Sequence, residues 1–283
     1  MKKITLLISC KDKPGIIANV TDFISKNKGN ITYVDQHVDT EQDVFFMRLE
    51  CEFKNLDSKS FTLRFENNLS KPFALTWEIY THNETLPKMA VFVSKYDHCL
   101  YDILGRYKSQ ELKVNIPFII SNHDILKPIA DSFKIPFYHI PVTKTIKVEA
   151  EKMQLRLLKQ HNVDFIVLAR YMQIITGKLI EQFPNNIINI HHSFLPAFVG
   201  AKPYHSAFKR GVKIIGATSH YVTEDLDAGP IIEQDVARVS HTFNIKDLIA
   251  KGRDLEKIVL ANAIKQHLNR KVMVNNNKTI IFS

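Results

Sequence analysis

NETLPKMAVFVSK, residues 83–95, is where the chain changes its pattern. Its first half is polar, carries Pro87 and has no hydrophobic periodicity. From Met89 it becomes a nearly unbroken apolar run. A short apolar run bounded by turn residues reads as a strand buried on both faces, as in parallel sheets covered by helices. Similar runs follow at 116–122 (IPFIISN), 137–142 (FYHIPV), 164–170 (DFIVLAR) and 187–193 (IINIHHS). Between them lie amphipathic segments at 99–108, 123–134, 145–162 and 177–183. This alternation implies an α/β class with a Rossmann-like, mostly parallel sheet. The stretches 213–222 and 230–239 come next, then a helical region from about Asn244 to Lys271, and NNNKTIIF (275–282) as a small closing hairpin.

Upstream of the change the order is different. KITLLISC (3–10) reads as a strand and KDKPG (11–15) as a turn, and Ile16, Ile17, Val20, Phe23 and Ile24 then recur at helical spacing. NITYVDQHV (30–38) and VFFMRLECEF (44–53) form a hairpin pattern, 58–73 is a weaker helix, and LTWEIYTH (75–82) is a last strand. A βαββαβ order in so short a block predicts a ferredoxin-like unit with an antiparallel sheet. The division expected is therefore 1–83 for the first domain, 84–88 for a linker and 89–283 for the second.

Composition narrows the function classes. With 283 residues, 45% hydrophobic and 24% charged, the chain is globular. A net charge of +9 favours anionic partners in general, but the lysines are spread along the chain as on a solvated surface. No nucleic-acid partner is expected. The three cysteines, Cys10, Cys51 and Cys99, are far apart and no CxxC occurs, which suits a reduced, cytoplasmic setting. MKKITLLISCKDK lacks the cleavage pattern of a signal peptide, and no apolar stretch nears the roughly 20 residues that span a bilayer. Neither GxGxxG nor GxxxxGK[ST] is present, so nucleotide-dependent readings lose support.

In an open α/β sheet, ligands bind beyond the carboxyl ends of the strands. Two strands end there in polar residues: 187–193 and ATSHYVTEDLDAG (217–229). Alternation puts Asn189 and His191 on one face and His192 on the other. An amide and an imidazole on one face can stabilise the negative charge that develops on a carbonyl oxygen under attack. A core histidine bonded to a backbone carbonyl is an equal reading of the same residues. Asp227, in EDLDAGP, reads either as turn chemistry or as a carboxylate that orients a water or tunes His191. A zinc site from His191, His192, His205, His220 and Asp227 is disfavoured, because adjacent histidines on a strand diverge and no HExxH occurs. No metal is expected.

NIHHSFLPAFVGAKPYHSAFKRG (189–211) and GATSHYVTEDLDAGPIIEQ (216–234) together resemble the formyltetrahydrofolate-dependent formyltransferase superfamily. The shared elements are Asn-x-His, Ser, Leu-Pro and a downstream LDAGP loop. The resemblance implies Asn189, His191 and Asp227 as catalytic residues. It implies a folate pocket along Tyr171, Met172, Gln173, Ile174 and Ile175 and along Val222, Thr223, Glu224, Asp225 and Leu226, with His192, Lys202 and His205 beside the site.

The first half, LLISCKDKPGIIANVTDFISKNKGNI (6–31), resembles an ACT domain. An ACT domain joined to a formyltransferase-like domain is the layout of the formyltetrahydrofolate deformylase family, and ARYMQII, SNHD and NKTIIF are similar to it as well. Transformylases of this superfamily carry a Gly-rich loop where SKYDHCLYD (94–102) stands here, and commonly Pro where His192 stands. The implied reaction is hydrolysis of 10-formyltetrahydrofolate to formate and tetrahydrofolate, supplying formate for purine synthesis and balancing the one-carbon folate pool. No cofactor is implied, since the folate is the substrate. Asp227 as base with His191 as oxyanion donor, and the reverse, both stay open.

The ACT resemblance further implies a homo-oligomer, dimer or tetramer, and a small amino-acid effector held by Asp12, Gly15, Ile16 and Ile17 opposite Asn30. The alternatives are formyl transfer to an amine acceptor and a non-catalytic folate sensor.

Overall fold

The structure is a computed structural model and describes residues 1–82, 85–197 and 203–283. Asn83 and Glu84, at the expected linker, and Lys202, expected near the site, lie outside the described residues. The chain divides into two compact units. One comprises residues up to Thr85 with Arg270–Asn275 and Ile280–Ser283, the other Leu86–Asn269 with Asn276–Thr279.

The first unit runs β1 (Lys2–Lys11), α1 (Ile16–Lys26), β2 (Gly29–Asp39), β3 (Val44–Phe53), α2 (Ser58–Phe65), α3 (Lys71–Phe73) and β4 (Thr76–Thr81). A π-helical stretch, Glu66–Ser70, joins α2 to α3. The sheet order is β2-β3-β1-β4, antiparallel throughout. Its core follows from period-2 burial on the strands and 3.6-residue burial on α1: Ile4, Leu6, Ile8, Met47, Leu49 and Cys51 meet Ile16, Val20, Phe23 and Ile24. Phe23, Phe53, Phe61 and Phe65 interlock edge to face.

The C-terminal segments join this unit for a polar reason. Arg48 is buried, and its Nε donates to the Arg270 carbonyl at 2.9 Å. The Tyr33 hydroxyl donates to the Ser283 carbonyl at 2.6 Å, and Phe282 is buried.

The second unit contains β5 (Met89–Val93), α4 (His98–Lys108), β6 (Ile119–Ser121), α5 (Lys127–Ser132), β7 (Phe137–His139), α6 (Lys147–Gln160), β8 (Phe165–Leu168), α7 (Gly177–Ile180), β9 (Ile187–His191), α8 (Pro203–Arg210), β10 (Ile214–Tyr221), β11 (Ile231–Arg238) and α9 (Ile245–Leu268). The terminal hairpin is β12 (Val272–Asn275) and β13 (Lys278–Ile281). The sheet order is β11-β10-β9-β8-β5-β6-β7. Strands β9, β8, β5, β6 and β7 are parallel, and β10 and β11 add antiparallel. Every residue of β5 and β8 is buried, as an apolar run in a covered parallel sheet requires. The helices α5 and α7 are shorter than the periodic segments that predict them. Asn244 caps α9 with a capping box to Asp247. Among the described residues no helix is long and apolar enough to cross a membrane.

The hinge between β10 and β11 is a narrow neck. The Tyr221 amide donates to the Pro230 carbonyl at 2.9 Å, so residues 222–229 leave the sheet and return to it. Gly229 sits where a Cβ would lie 1.9 Å from the Tyr221 carbonyl oxygen, a backbone atom that cannot yield cheaply. Gly229→Ala is therefore expected to open the neck. Overpacking of this kind costs about 1–3 kcal/mol or more. The check is a lowered melting temperature by calorimetry together with at least tenfold lower turnover, and a variant that melts and turns over like the parent would refute it.

Candidate active site

Strand β9 ends at His191, at the carboxyl edge of the parallel strands. There Asn189, His191, His192 and His220 share one pocket of about 240 Å³ with two loops. One loop is Arg170–Ile175, following β8, and the other is Val222–Asp227, following β10. All of Tyr171, Met172, Gln173, Ile174 and Ile175, and Val222, Thr223, Glu224, Asp225 and Leu226, line it. Met172, Ile174 and Leu226 expose large apolar surfaces at the loops. Apolar groups clustered at a concave site are what a flat heteroaromatic ligand needs.

The polar floor is tightly drawn. His191 Nδ1 lies 3.2 Å from Asp227 Oδ2, and His220 Nε2 lies 3.6 Å from Asp227 Oδ1. Asn189 Nδ2 is 3.2 Å from His220 Nε2. The register explains this meeting: β10 is antiparallel to β9, with His220 opposite Asn189 and Thr218 opposite His191. His220 Nδ1 lies 2.9 Å from the Tyr221 carbonyl, which can only accept, so Nδ1 carries a proton. In the neutral ring Nε2 is then bare and accepts an N–H of Asn189, which fixes the amide with its nitrogen toward His220.

Asp227 is held in a left-handed conformation, φ 89°, which Asp tolerates better than most residues. The hydrogen bond with His191, with the His220 ring close beside it, holds its carboxyl well below the ordinary carboxylate range, although burial pushes the other way. Asp227 is thus firmly ionised at neutral pH. His191 is 6% exposed, and its Nε2 is buried without a hydrogen-bond partner. A buried ring nitrogen left open beside a pocket is a group waiting for a ligand.

The loops are held from behind. Glu151 of α6 accepts from the Thr176 amide at 2.8 Å and from the Thr176 hydroxyl. The Met172 amide donates to Ser94 Oγ at 2.9 Å, and Ser94 Oγ donates to Asn122 at 2.6 Å. Gln154 donates to the Tyr171 hydroxyl at 3.0 Å, and burial pushes that phenol up to about 12.

Three expectations change. His192 does not turn away from the site. Strand β9 stops at His191, so strict alternation no longer governs the next residue, and His192 lines the pocket beside His191, with ring centroids 5.3 Å apart. His205 is exposed on α8 and is not among the residues lining the pocket. In the first unit Ile16 is 2% exposed and belongs to the core, because the helical stripe that starts there faces the sheet. Asp12, Gly15, Ile17 and Asn30 remain at least partly exposed, and Gly15 has φ 91°. Two residues that local reasoning misses, Arg170 and Glu256, also belong near the site, and His220, weighed above only as a zinc ligand, joins it. Arg170 lines the pocket, and Glu256, on α9, lies 3.3 Å from its Nε. His98, Cys99 and Glu256 have ligand atoms within 4.8 Å of one another, but Arg170 already occupies that carboxylate.

Comparison with known proteins places this site in a family. The formyl transferase model matches residues 87–264 and the ACT domain model residues 4–57. A formyltetrahydrofolate deformylase of Synechocystis sp. is 53% identical over 280 residues, covering 99% of this chain and 98% of the relative. The crystal structure of a formyltetrahydrofolate deformylase from Pseudomonas syringae superposes with a TM-score of 0.96 at 44% identity, covering 100% of this chain and 95% of that one. A glycinamide ribonucleotide transformylase structure from Symbiobacterium toebii matches with a TM-score of 0.66 at 26% identity, over 72% of this chain and 97% of its own.

Proposed function

The chain belongs to the formyltetrahydrofolate deformylase family, enzymes that hydrolyse 10-formyltetrahydrofolate to formate and tetrahydrofolate, and we propose that Asn189, His191 and Asp227 carry that hydrolysis here. The observation that supports this division of labour is the His191–Asp227 pair, with the other imidazole nitrogen open at the pocket. A carboxylate held as low as Asp227 is a poor base toward water at neutral pH. It is well suited to fix the Nδ1–H tautomer of His191 and to stabilise the imidazolium. Of the two roles left open by the sequence, the geometry therefore favours His191 as base and Asp227 as its partner.

In the proposed sequence His191 Nε2 takes one proton from a water as its oxygen bonds to the formyl carbon. The carbonyl electrons move onto the formyl oxygen, where the second N–H of Asn189 meets the negative charge. The C–N10 bond then breaks, N10 takes the proton from His191, and formic acid leaves as formate after losing its remaining proton. The chemistry as written draws only on these side chains and water, with no cofactor.

Incubation of the purified protein with 10-formyltetrahydrofolate and no other acceptor is expected to release formate and tetrahydrofolate in equal amounts. Release of tetrahydrofolate without formate, and only when an amine is added, would identify a transferase, and binding without turnover would identify a sensor.

For the first unit we propose a regulatory and assembly role. The exposed left-handed turn at Gly15, beside the Asp12 amide bonded to the Asp43 carbonyl at 2.9 Å, supports a small amino-acid effector. The sheet edges β2 and β4 support a homo-oligomer. Flat calorimetric titrations with glycine and with methionine would leave assembly alone. Three free, buried cysteines support a reducing, cytoplasmic compartment.

A further inference from the structure

Hydrolysis puts a negative charge where none stood before. Formate forms beside Asp227, itself ionised, in a pocket also lined by Glu224 and Asp225. The single Lys or Arg among the described lining residues is Arg170.

Its setting is built with care. Arg170 is 7% exposed and holds a left-handed backbone, φ 63°. Its Nε faces Glu256 Oε2 at 3.3 Å without the alignment of a hydrogen bond. Its guanidinium stacks over Tyr96 at 5.0 Å, and Arg253 lies over the same ring at 5.9 Å. Glu256 is fixed by three groups at once: Tyr204 donates to Oε1 at 2.7 Å, and His98 Nε2 meets Oε2 at 2.8 Å beside Arg170. Burial raises the Glu256 carboxyl, yet His98 and Arg170 bring it below its ordinary value, so it stays charged.

The guanidinium is thus held by its ion pair with Glu256 and by one face on Tyr96. Its two terminal amino groups make no hydrogen bond to any described residue. On an arginine that lines the pocket, a planar pair of N–H donors with no partner among the described residues matches a carboxylate in shape and charge.

We propose that Arg170 is the subsite for the carboxylate product, receiving formate as it leaves the Asn189–His191 centre, with Glu256 as the residue that positions the guanidinium. This rests on hydrolysis at that centre. Arg170 would bind formate with two parallel hydrogen bonds and hold it against the repulsion of Asp227.

The test is inhibition of hydrolysis by sodium formate, at ionic strength held constant with sodium chloride, for the parent, Arg170→Lys and Arg170→Met. The parent is expected to show saturable formate inhibition. The inhibition constant should rise roughly 10–100-fold in Arg170→Met, as expected for loss of a charge-assisted bidentate contact, and by less in Arg170→Lys. An equal constant in parent and Arg170→Met, or a parent that formate does not inhibit, overturns the proposal.

Should Arg170→Met not fold, the parent is treated with phenylglyoxal and the modified arginines are mapped by mass spectrometry. Protection of Arg170 by formate supports the subsite, and modification unchanged by formate overturns it. Direct titration of the parent with ¹³C-formate, followed by NMR, separates the two layers. Formate binding without turnover would end the hydrolase reading alone, and turnover without formate binding would end the subsite alone.

Discussion

Asp227→Asn is expected to lower kcat by about 10³–10⁴-fold, with KM for the folate changed by less than about fivefold. The size follows from what the side chain does. Asp227 accepts from His191, has the His220 ring 3.6 Å from its other oxygen, and stays ionised well below the ordinary carboxylate range. An amide in its place carries no charge to balance the imidazolium. It can also turn an N–H toward His191 Nδ1, which moves the ring proton to Nε2 and removes the lone pair that water needs. The rest of the pocket lining on the two loops is untouched, so the loss is expected to fall on kcat. Steady-state release of tetrahydrofolate decides it, and near-normal turnover would take the carboxylate out of the mechanism.

The same substitution has a pH signature. A carboxyl whose folded value is depressed contributes stability at pH above its unfolded value near 4, and that contribution fades as pH falls through the folded value. The parent's advantage over Asp227→Asn in denaturant unfolding is therefore full at neutral pH and shrinks below about pH 4.

Much of this centre is legible in the sequence because its pieces are local. The apolar run at 89–93 marks the first parallel strand, the polar finish of 187–193 marks the active edge, and both pocket loops follow directly from strands. What is not legible depends on register or distance. His220 reaches Asn189 and Asp227 only because β10 lies antiparallel beside β9 with a defined offset, and no local pattern encodes that pairing. Arg170 and Glu256 meet through the approach of α9 to the loop after β8, far apart in sequence. The place of 270–275 and 280–283 in the first unit rests on a buried arginine, Arg48, which in sequence looks like an ordinary charged strand residue. His192 was legible as polar, but its direction was not, since alternation fails where the strand stops.

Asn189→Ala is expected to lower kcat by about 10²–10³-fold, equivalent to roughly 2.7–4 kcal/mol of barrier, as removal of one oxyanion donor does elsewhere. The argument turns on the orientation of one amide. His220 keeps Nδ1 protonated toward the Tyr221 carbonyl at 2.9 Å, so its Nε2 is an acceptor for Asn189 Nδ2 at 3.2 Å. One N–H of Asn189 is used in that bond, and the other is free to meet the formyl oxygen as charge builds on it. The donor is set before substrate arrives, and no reorganisation is needed during attack. Asn189→Asp keeps the shape but replaces the donor with a negative charge near Asp227, and should be worse than alanine by at least another tenfold. His220→Phe should fall between parent and alanine, because the amide survives but loses the partner that orients it. The order parent, His220→Phe, Asn189→Ala, Asn189→Asp in falling kcat is the expected result. An aspartate variant as active as the alanine variant would show that no charge develops beside residue 189, and the oxyanion would then have to be met elsewhere in the pocket.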